Sequence, residues 1–568
     1  MQEPLKLGFF RMRDIYGPIA LASLLILLSC QFARAERQVT QFGITWTFDK
    51  DYPVGQFANG DNWVVGPVTI VAIDPASVEI DGRVTNGSMV NPSPRLGQTQ
   101  GYDSAMYGRY AGRGSYDPSL NAARPNGWSL SRSNPLVLEP DCSLVSTVST
   151  AEATGRTQLK TAAILTTLAN PASDGKFRPA YSGTDKTLRF GSDQLDYALL
   201  ANLKPVPEPL GLLEVERYFE RPWLDHIPGW TGHYQHPVEN MPDYGREMST
   251  QTGEGALMLH LDFTNAEKET LLIRYVQLGI DLYGIILDGG NDNWVNNGGH
   301  SSGRKWPILF AGLMLNDDGM RDIGLKSGDY LYIDGFGPAN EPPDYAHFGE
   351  DDQTFFVSDD DIYEPPYQEH TRSGFTYYGH GSLSKRRDYL EYQEHHREMP
   401  DWGIVHAVDR NQDGLDWDTA YRHWCTANSW CGFALAAHIM GAKELWNHNA
   451  FFDYMDRFME VELRTVGTRN VRRQTSRFAE AMWDAYRCEY GPVWTMAPVL
   501  KITSAGGSVT SNPKLSPFAL GEEVVLSAYP DPGYEFTGWS GDLSGNENPA
   551  RITMHSHRYI TANFAPKR

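Results

Sequence analysis

Hydrophobic and polar positions divide the chain into three stretches of different period. From Gln38 to about Pro209 they alternate in short runs, as in Gly43-Ile44-Thr45-Trp46-Thr47-Phe48 and from Val64 to Ile73, with Gly, Pro, Asn and Asp between the runs. A period of two broken by turn residues predicts short strands, and we read this stretch as a β-sandwich. A Gly-, Ser-, Tyr- and Arg-rich run from Gln98 to Ser115 has no period, and a long loop of that kind inside a domain is often functional.

From about Glu214 to Pro498 the apolar spacing becomes three and four residues. Thr264-Asn265-Ala266-Glu267 is a capping box, followed by Leu272, Tyr275, Val276, Gly279, Leu282, Tyr283 and Ile286 on one stripe until Gly289-Gly290. Pro307 suits the first turn of a second helix that ends at Asn316-Asp317. Segments 426–440, 449–461 and 476–488 predict three more. Helices joined by long irregular loops resemble an (α/α) barrel or toroid. Alternation returns from Leu500 to Phe564. The expected fold class is therefore multidomain α+β: a β-sandwich over 36–212, an all-α (α/α) toroid-like domain over 213–498, and a small all-β module over 499–568.

The first 35 residues change the setting. Lys6, Arg11 and Arg13 precede an apolar run from Ile19 to Leu28, and Ala33-Arg34-Ala35 follows. That order reads as a signal peptide cleaved before Glu36, too short in its apolar part to span a bilayer. We expect a secreted protein, extracellular or periplasmic. The alternative is a lipid anchor at Cys30, because Leu27-Leu28-Ser29-Cys30 is close to a lipobox. The whole chain carries a net charge of −22, and loss of four basic and two acidic residues with the leader makes it −24. Such a surface repels nucleic acid and anionic membranes, and no basic run or long apolar segment offsets it, so both partners are excluded and no transmembrane segment is expected in the mature chain.

Cys142, Cys425, Cys431 and Cys488 remain after cleavage, with three connectivities open. On one helix Cys425 and Cys431 would stand about 9 Å apart, beyond disulfide reach. No Cys-x-x-Cys, His-Glu-x-x-His, Gly-x-Ser-x-Gly or phosphate-binding glycine loop occurs, which sets aside zinc proteases, esterases, kinases and dinucleotide enzymes.

Gly506-Gly507, the run Gly533-Tyr-Glu-Phe-Thr-Gly-Trp-Ser-Gly-Asp542 and the closing Ile560-Thr-Ala-Asn-Phe564 resemble the divergent internalin-type B-repeat of bacterial secreted proteins. The resemblance implies a module for attachment to a cell surface or matrix, or for spacing, and no chemistry there.

Polar and aromatic residues are densest from Tyr218 to Arg304. Asn296-Asn297-Gly298-Gly299-His300 resembles the Asn/His loop of secreted (α/α)-toroid polysaccharide lyases, the heparinase II/III-like and alginate lyases, with two glycines inserted. The resemblance implies β-elimination of a uronic-acid-containing polysaccharide. That chemistry needs a quenched carboxylate, a base for the C5 proton and an acid for the departing oxygen. Asn297, His300 and Arg304 are candidates for the first role, and Tyr234 and Tyr244 for the others. Arg246 is a second carboxylate clamp. Trp230, His233 and Trp294 are candidate sugar contacts, as are His406 and Arg422 from a second histidine-rich stretch. The alternatives are a glycoside hydrolase with a carboxyl pair drawn from Asp225, Asp243, Glu247, Asp288 and Asp292, and a non-catalytic polysaccharide-binding protein.

Asp409, Asn411, Asp413 and Gly414 match the opening of a calcium loop, with Asp416 or Asp418 in place of the missing Glu at position 12. The bound cofactor expected there is calcium, the alternative being a polar turn.

Overall fold

The computed structural model describes residues 34–106, 116–153, 157–207, 210–228, 236–239, 245–295, 299–327, 345–359, 369–372, 375–378, 397–402, 426–465, 476–495, 498, 500–514, 518, 521–554 and 558–567. Ten strands open the chain: β1 (Arg34–Gln41), β2 (Ile44–Gln56), β3 (Asn62–Val65), β4 (Val68–Asp74), β5 (Val78–Ile80), β6 (Arg83–Thr85), β7 (Ser88–Val90), β8 (Leu136–Leu138), β9 (Cys142–Ser149) and β10 (Leu159–Leu168). Eight of them form one sheet in the order β7-β9-β10-β3-β2-β4-β8, with β1 also on β2.

The expected two-layer sandwich is thus a single curled sheet. The reason lies in β2, whose thirteen residues pair with β4 along the first half and with β3 along the second. Beyond β3 and β4 the sheet continues through β10 and β8, so one ladder serves both sides of a half-barrel. Ile44, Trp46 and Phe48 alternate inward, and the Trp46 Nε1 proton bonds Ser146 Oγ on β9 at 2.9 Å across the core.

The helices are α1 (Leu212–Tyr218), α2 (Gly245–Leu259), α3 (Asn265–Leu287), α4 (Lys305–Leu315), α5 (Asp318–Arg321), α6 (Gly349–Asp352), α7 (Cys431–Ile439), α8 (Lys443–Trp446), α9 (Asn449–Thr465) and α10 (Arg477–Tyr486). The capping box forms: Thr264 N donates to Glu267 Oε2 at 2.8 Å while Thr264 Oγ1 accepts from Glu267 N at 3.3 Å. Helix α3 ends where Gly289 turns at φ +92°. It is long and apolar enough to cross a bilayer, yet 72 % of its most apolar window is buried, so it serves as the core helix. Gly279 lets α4 approach α3, since a Cβ there would meet Pro307 O at 2.2 Å, and Gly253 faces Gly432 where α2 crosses α7. These pairs establish a central helical region.

Short strands interrupt the helical stretch: β11 (Thr354–Phe356) pairs with β14 (Pro400–Trp402), and β12 (Glu369–Arg372) with β13 (Phe375–Tyr378). The outer side of the half-barrel and the helices share one core, because Val145, Ala162 and Ile164 cluster with Leu257, Tyr275 and Phe310. Arg178 clamps the same junction. Its Nε donates to Asp61 Oδ2 at 2.6 Å, and its two terminal nitrogens to Asp281 at 2.9 and 2.5 Å.

The last six strands are β15 (Leu500–Ser504), β16 (Gly507–Asn512), β17 (Glu522–Pro530), β18 (Tyr534–Gly541), β19 (Ala550–Met554) and β20 (Arg558–Pro566). They make two three-stranded sheets, β15-β20-β18 and β16-β17-β19, around a separate core of Phe518, Val524, Leu526, Trp539, Met554 and Ile560.

Candidate functional site

Three segments meet in a buried polar seam: 223–228 after α1, the loop 299–304 that enters α4, and 345–352 around α6. Gly303 turns this loop at φ +82°, and its neighbour Arg304 points inward. The Arg304 guanidinium grips Asp225 through Nε at 2.9 Å and a terminal nitrogen at 3.3 Å, and also donates to Ser302 O at 2.7 Å. His236 Nε2 lies 3.1 Å from the same carboxylate, and Asn293 donates to the Asp225 carbonyl at 2.9 Å. Burial alone would raise the Asp225 carboxyl, but Arg304 and His236 outweigh it and hold the group well below the usual range. His226, next in the chain, contacts Tyr181 Oη at 3.2 Å, and burial pushes it down to about 3, so it is neutral.

On the other side of the loop, Gly303 N donates to Glu350 Oε2 at 3.0 Å. Glu350, Asp351 and Asp352 are consecutive and all essentially inaccessible to solvent. Asp351 pairs with Lys305 and accepts from Trp446 Nε1 at 2.7 Å; Asp352 lies 3.1 Å from His347 Nδ1. Glu350 has no such cation of its own. Burial, reinforced by the Asp351 charge, pushes it up to about 8, which leaves it protonated at neutral pH. Since Oε2 accepts from Gly303, the acid proton belongs on Oε1, a buried oxygen with no hydrogen-bond partner among the described residues. Two carboxyls on either side of one loop are therefore driven apart in acidity, an arrangement that assigns proton-holding to one and charge to the other.

The seam takes in some of the residues expected from sequence. Arg304 and His300 are buried in its loop, and Trp294 stacks on Phe348 with centroids 5.9 Å apart and planes at 15°. Arg304 is spent on Asp225, so it is a structural partner of a carboxylate rather than an open clamp. Arg246 is half-buried beside Glu247 at 3.0 Å. Asn297, Tyr234, Tyr244, Trp230, His233, His406 and Arg422 lie outside the described residues, as do Asp409, Asn411, Asp413 and Asp416 of the calcium loop. Among the described residues no group of three His, Cys, Asp or Glu is placed to hold a metal. Among the described residues Cys142 and Cys488 form no disulfide.

Glu350 and its neighbours were not singled out from sequence. The available signal was an acidic triplet, Gly349-Glu350-Asp351-Asp352, bracketed by Tyr345-Ala346-His347-Phe348 and Thr354-Phe355-Phe356. Charges flanked by aromatic runs are charges the fold will have to bury.

Residues 499–568 match the family model of the divergent InlB B-repeat domain, which accounts for the separate C-terminal module. No curated protein and no solved structure matches the chain.

Proposed function

We propose that this chain is an exported polysaccharide-degrading enzyme, held at a cell surface or matrix by its B-repeat module, whose bond cleavage draws a proton from Glu350. What supports this reading is Glu350, a buried carboxyl that burial and the Asp351 charge push up to about 8 and whose Oε1 has no hydrogen-bond partner among the described residues. Glycosidic cleavage needs a proton on the departing oxygen whether the bond is hydrolysed or eliminated. Glu350 is fully buried, so that oxygen reaches Oε1 only in an opened form of the seam.

Hydrolysis is the first reading. Arg304 and Lys305, the cations nearest His300 in the chain, are committed to Asp225 and Asp351, which leaves neither to quench a uronate. β-Elimination of a uronic-acid polysaccharide is the second reading. It is supported by His300, three residues from the Gly303 amide that holds Glu350, and by the Asn/His loop resemblance.

The test incubates the chain from Glu36 onward with neutral and uronic-acid polysaccharides, following reducing ends and the ultraviolet absorbance of newly unsaturated sugar ends. Reducing ends without absorbance, reduced about 10²- to 10⁴-fold in Glu350→Gln, establish hydrolysis with this acid. Absorbance lost in His300→Ala establishes elimination. Silence in both on every polymer refutes the enzyme and leaves a polysaccharide-binding protein. A chelator arm addresses calcium at the Asp409 loop: activity that falls and returns with added calcium supports it.

A further inference from the structure

A second cleft, of about 720 Å³, lies on the half-barrel and shares no residue with the seam. It is lined by β1, the second half of β2, the start of β3 and the turn at 171–174. The β1–β2 ladder pairs Gln38 with Thr47 and then Glu36 with Tyr52, so β2 bulges out over residues 48–51 opposite the single residue Arg37 of β1. Gly55 on β2 has no side chain, and the Trp63 indole packs flat against it; a Cβ there would lie 2.3 Å from the ring. The cleft therefore has strand backbone on its sides and an aromatic residue in its lining.

The chemistry of the lining selects a ligand class. Gln38 and Gln56 are exposed, and neither side chain makes a hydrogen bond among the described residues, so two amides stand ready with both donors and acceptors. Asn62 adds a third amide, tied only loosely to Gln41 at 3.4 Å. The one cation in the lining, Arg34, is paired with Glu36 at 2.7 Å. Phosphates, nucleic acids and polyuronates thus find no positive charge. Apolar members are scattered between polar ones, which disfavours a lipid or an apolar helix. Hydroxyl groups both donate and accept, and a volume of this size is in the range of ordinary ligand sites.

We infer that this cleft binds a neutral oligosaccharide segment, a glycan-holding site separate from the seam. It stands or falls independently of the proposed chemistry, because none of its residues takes part in that chemistry. The experiment is affinity electrophoresis of the chain from Glu36 in gels containing neutral soluble glucan, mannan or galactan, or a polyuronate, with Gln38→Ala/Gln56→Ala and Glu350→Gln alongside. At least one neutral polymer should retard the wild type and Glu350→Gln equally, and the double variant should bind about 3- to 30-fold more weakly, the loss of two neutral hydrogen-bonding groups. An unchanged thermal melt shows the double variant to be folded, as expected for exposed positions. Equal retardation of the double variant, retardation by polyuronate alone, or no retardation of the wild type by any neutral polymer overturns the inference.

Discussion

Replacing Arg178 by Met tests whether the half-barrel and the helices are one cooperative unit. The guanidinium is fully buried and makes three bonds to Asp61 and Asp281 and one to Pro179 O at 2.9 Å. Its loss does not strand the two carboxylates equally. Asp61 keeps Gln41 Nε2 and Asn59 Nδ2, each at 2.8 Å, whereas among the described residues Asp281 keeps only the Tyr181 amide at 3.2 Å. Removing one partner of a buried pair costs about 3–5 kcal/mol, most of it from the charge left behind. The stranded charge here is Asp281, so adding Asp281→Leu to Arg178→Met should return most of the loss.

The assay is equilibrium urea unfolding followed by tryptophan fluorescence. The single variant should shift the midpoint down by the equivalent of about 3–5 kcal/mol with little change of slope, and the double variant should recover at least half. A single variant within about 1 kcal/mol of wild type would show that the clamp contributes no net stability. A double variant no better than the single would refute the assignment of the cost to Asp281. Two separate transitions in the chain lacking 499–568 would refute the shared core itself.

Three further outcomes follow from the seam and the module. Glu350 titrates near 4.5 in an unfolded chain and at about 8 in the folded one, so its contribution is fully present below about pH 4.5 and is lost as pH rises to 8, by on the order of 4 kcal/mol; Glu350→Gln should flatten that slope in melts taken from pH 5 to 8, and hydrolytic activity of the wild type should fall as pH rises through about 8. Gly303→Ala puts a Cβ 2.8 Å from Ser249 Cα at a φ of +82°, so it should cost about 1–3 kcal/mol in thermal melts and lower activity by displacing the amide that holds Glu350. Deleting 499–568 removes a module with its own core, so the remaining transition should keep its midpoint while surface or matrix retention is lost, as read by a pull-down on insoluble polymer or whole cells.

Local signals carried most of the fold. The Thr264–Glu267 box, Pro307, the left-handed Asn316 and the Ser476 cap all act within one turn, and each helix starts or stops close to where those residues place it. The C-terminal module was legible for the same reason, since its turns and aromatic positions lie within a single short stretch. The half-barrel was not, because alternation is the same whether strands belong to one sheet or two. What decides between them is that β3 and β4 share the long β2, a pairing between positions that no local pattern specifies. The hairpins within the helical stretch are too short to impose a period of their own.

The site was legible as composition and illegible as chemistry. Clustering pointed to the stretch that holds Asp225, His236, His300 and Arg304, and the structure does gather Asp225, His236 and Arg304. Their roles depend on neighbours far away in the chain. Asp225 is an acceptable buried charge only because Arg304, 79 residues on, and His236 supply the compensation. Glu350 is an acid because it is buried beside the Asp351 charge while Lys305 pairs with Asp351 instead. Had the lysine paired with Glu350, the same residues would place the proton on Asp351 and the orphan oxygen with it. The sense of the acid–base assignment thus rests on a single contact between α4 and α6, and it is there, rather than in the histidine-rich loop, that substitution should reverse which carboxyl holds the proton.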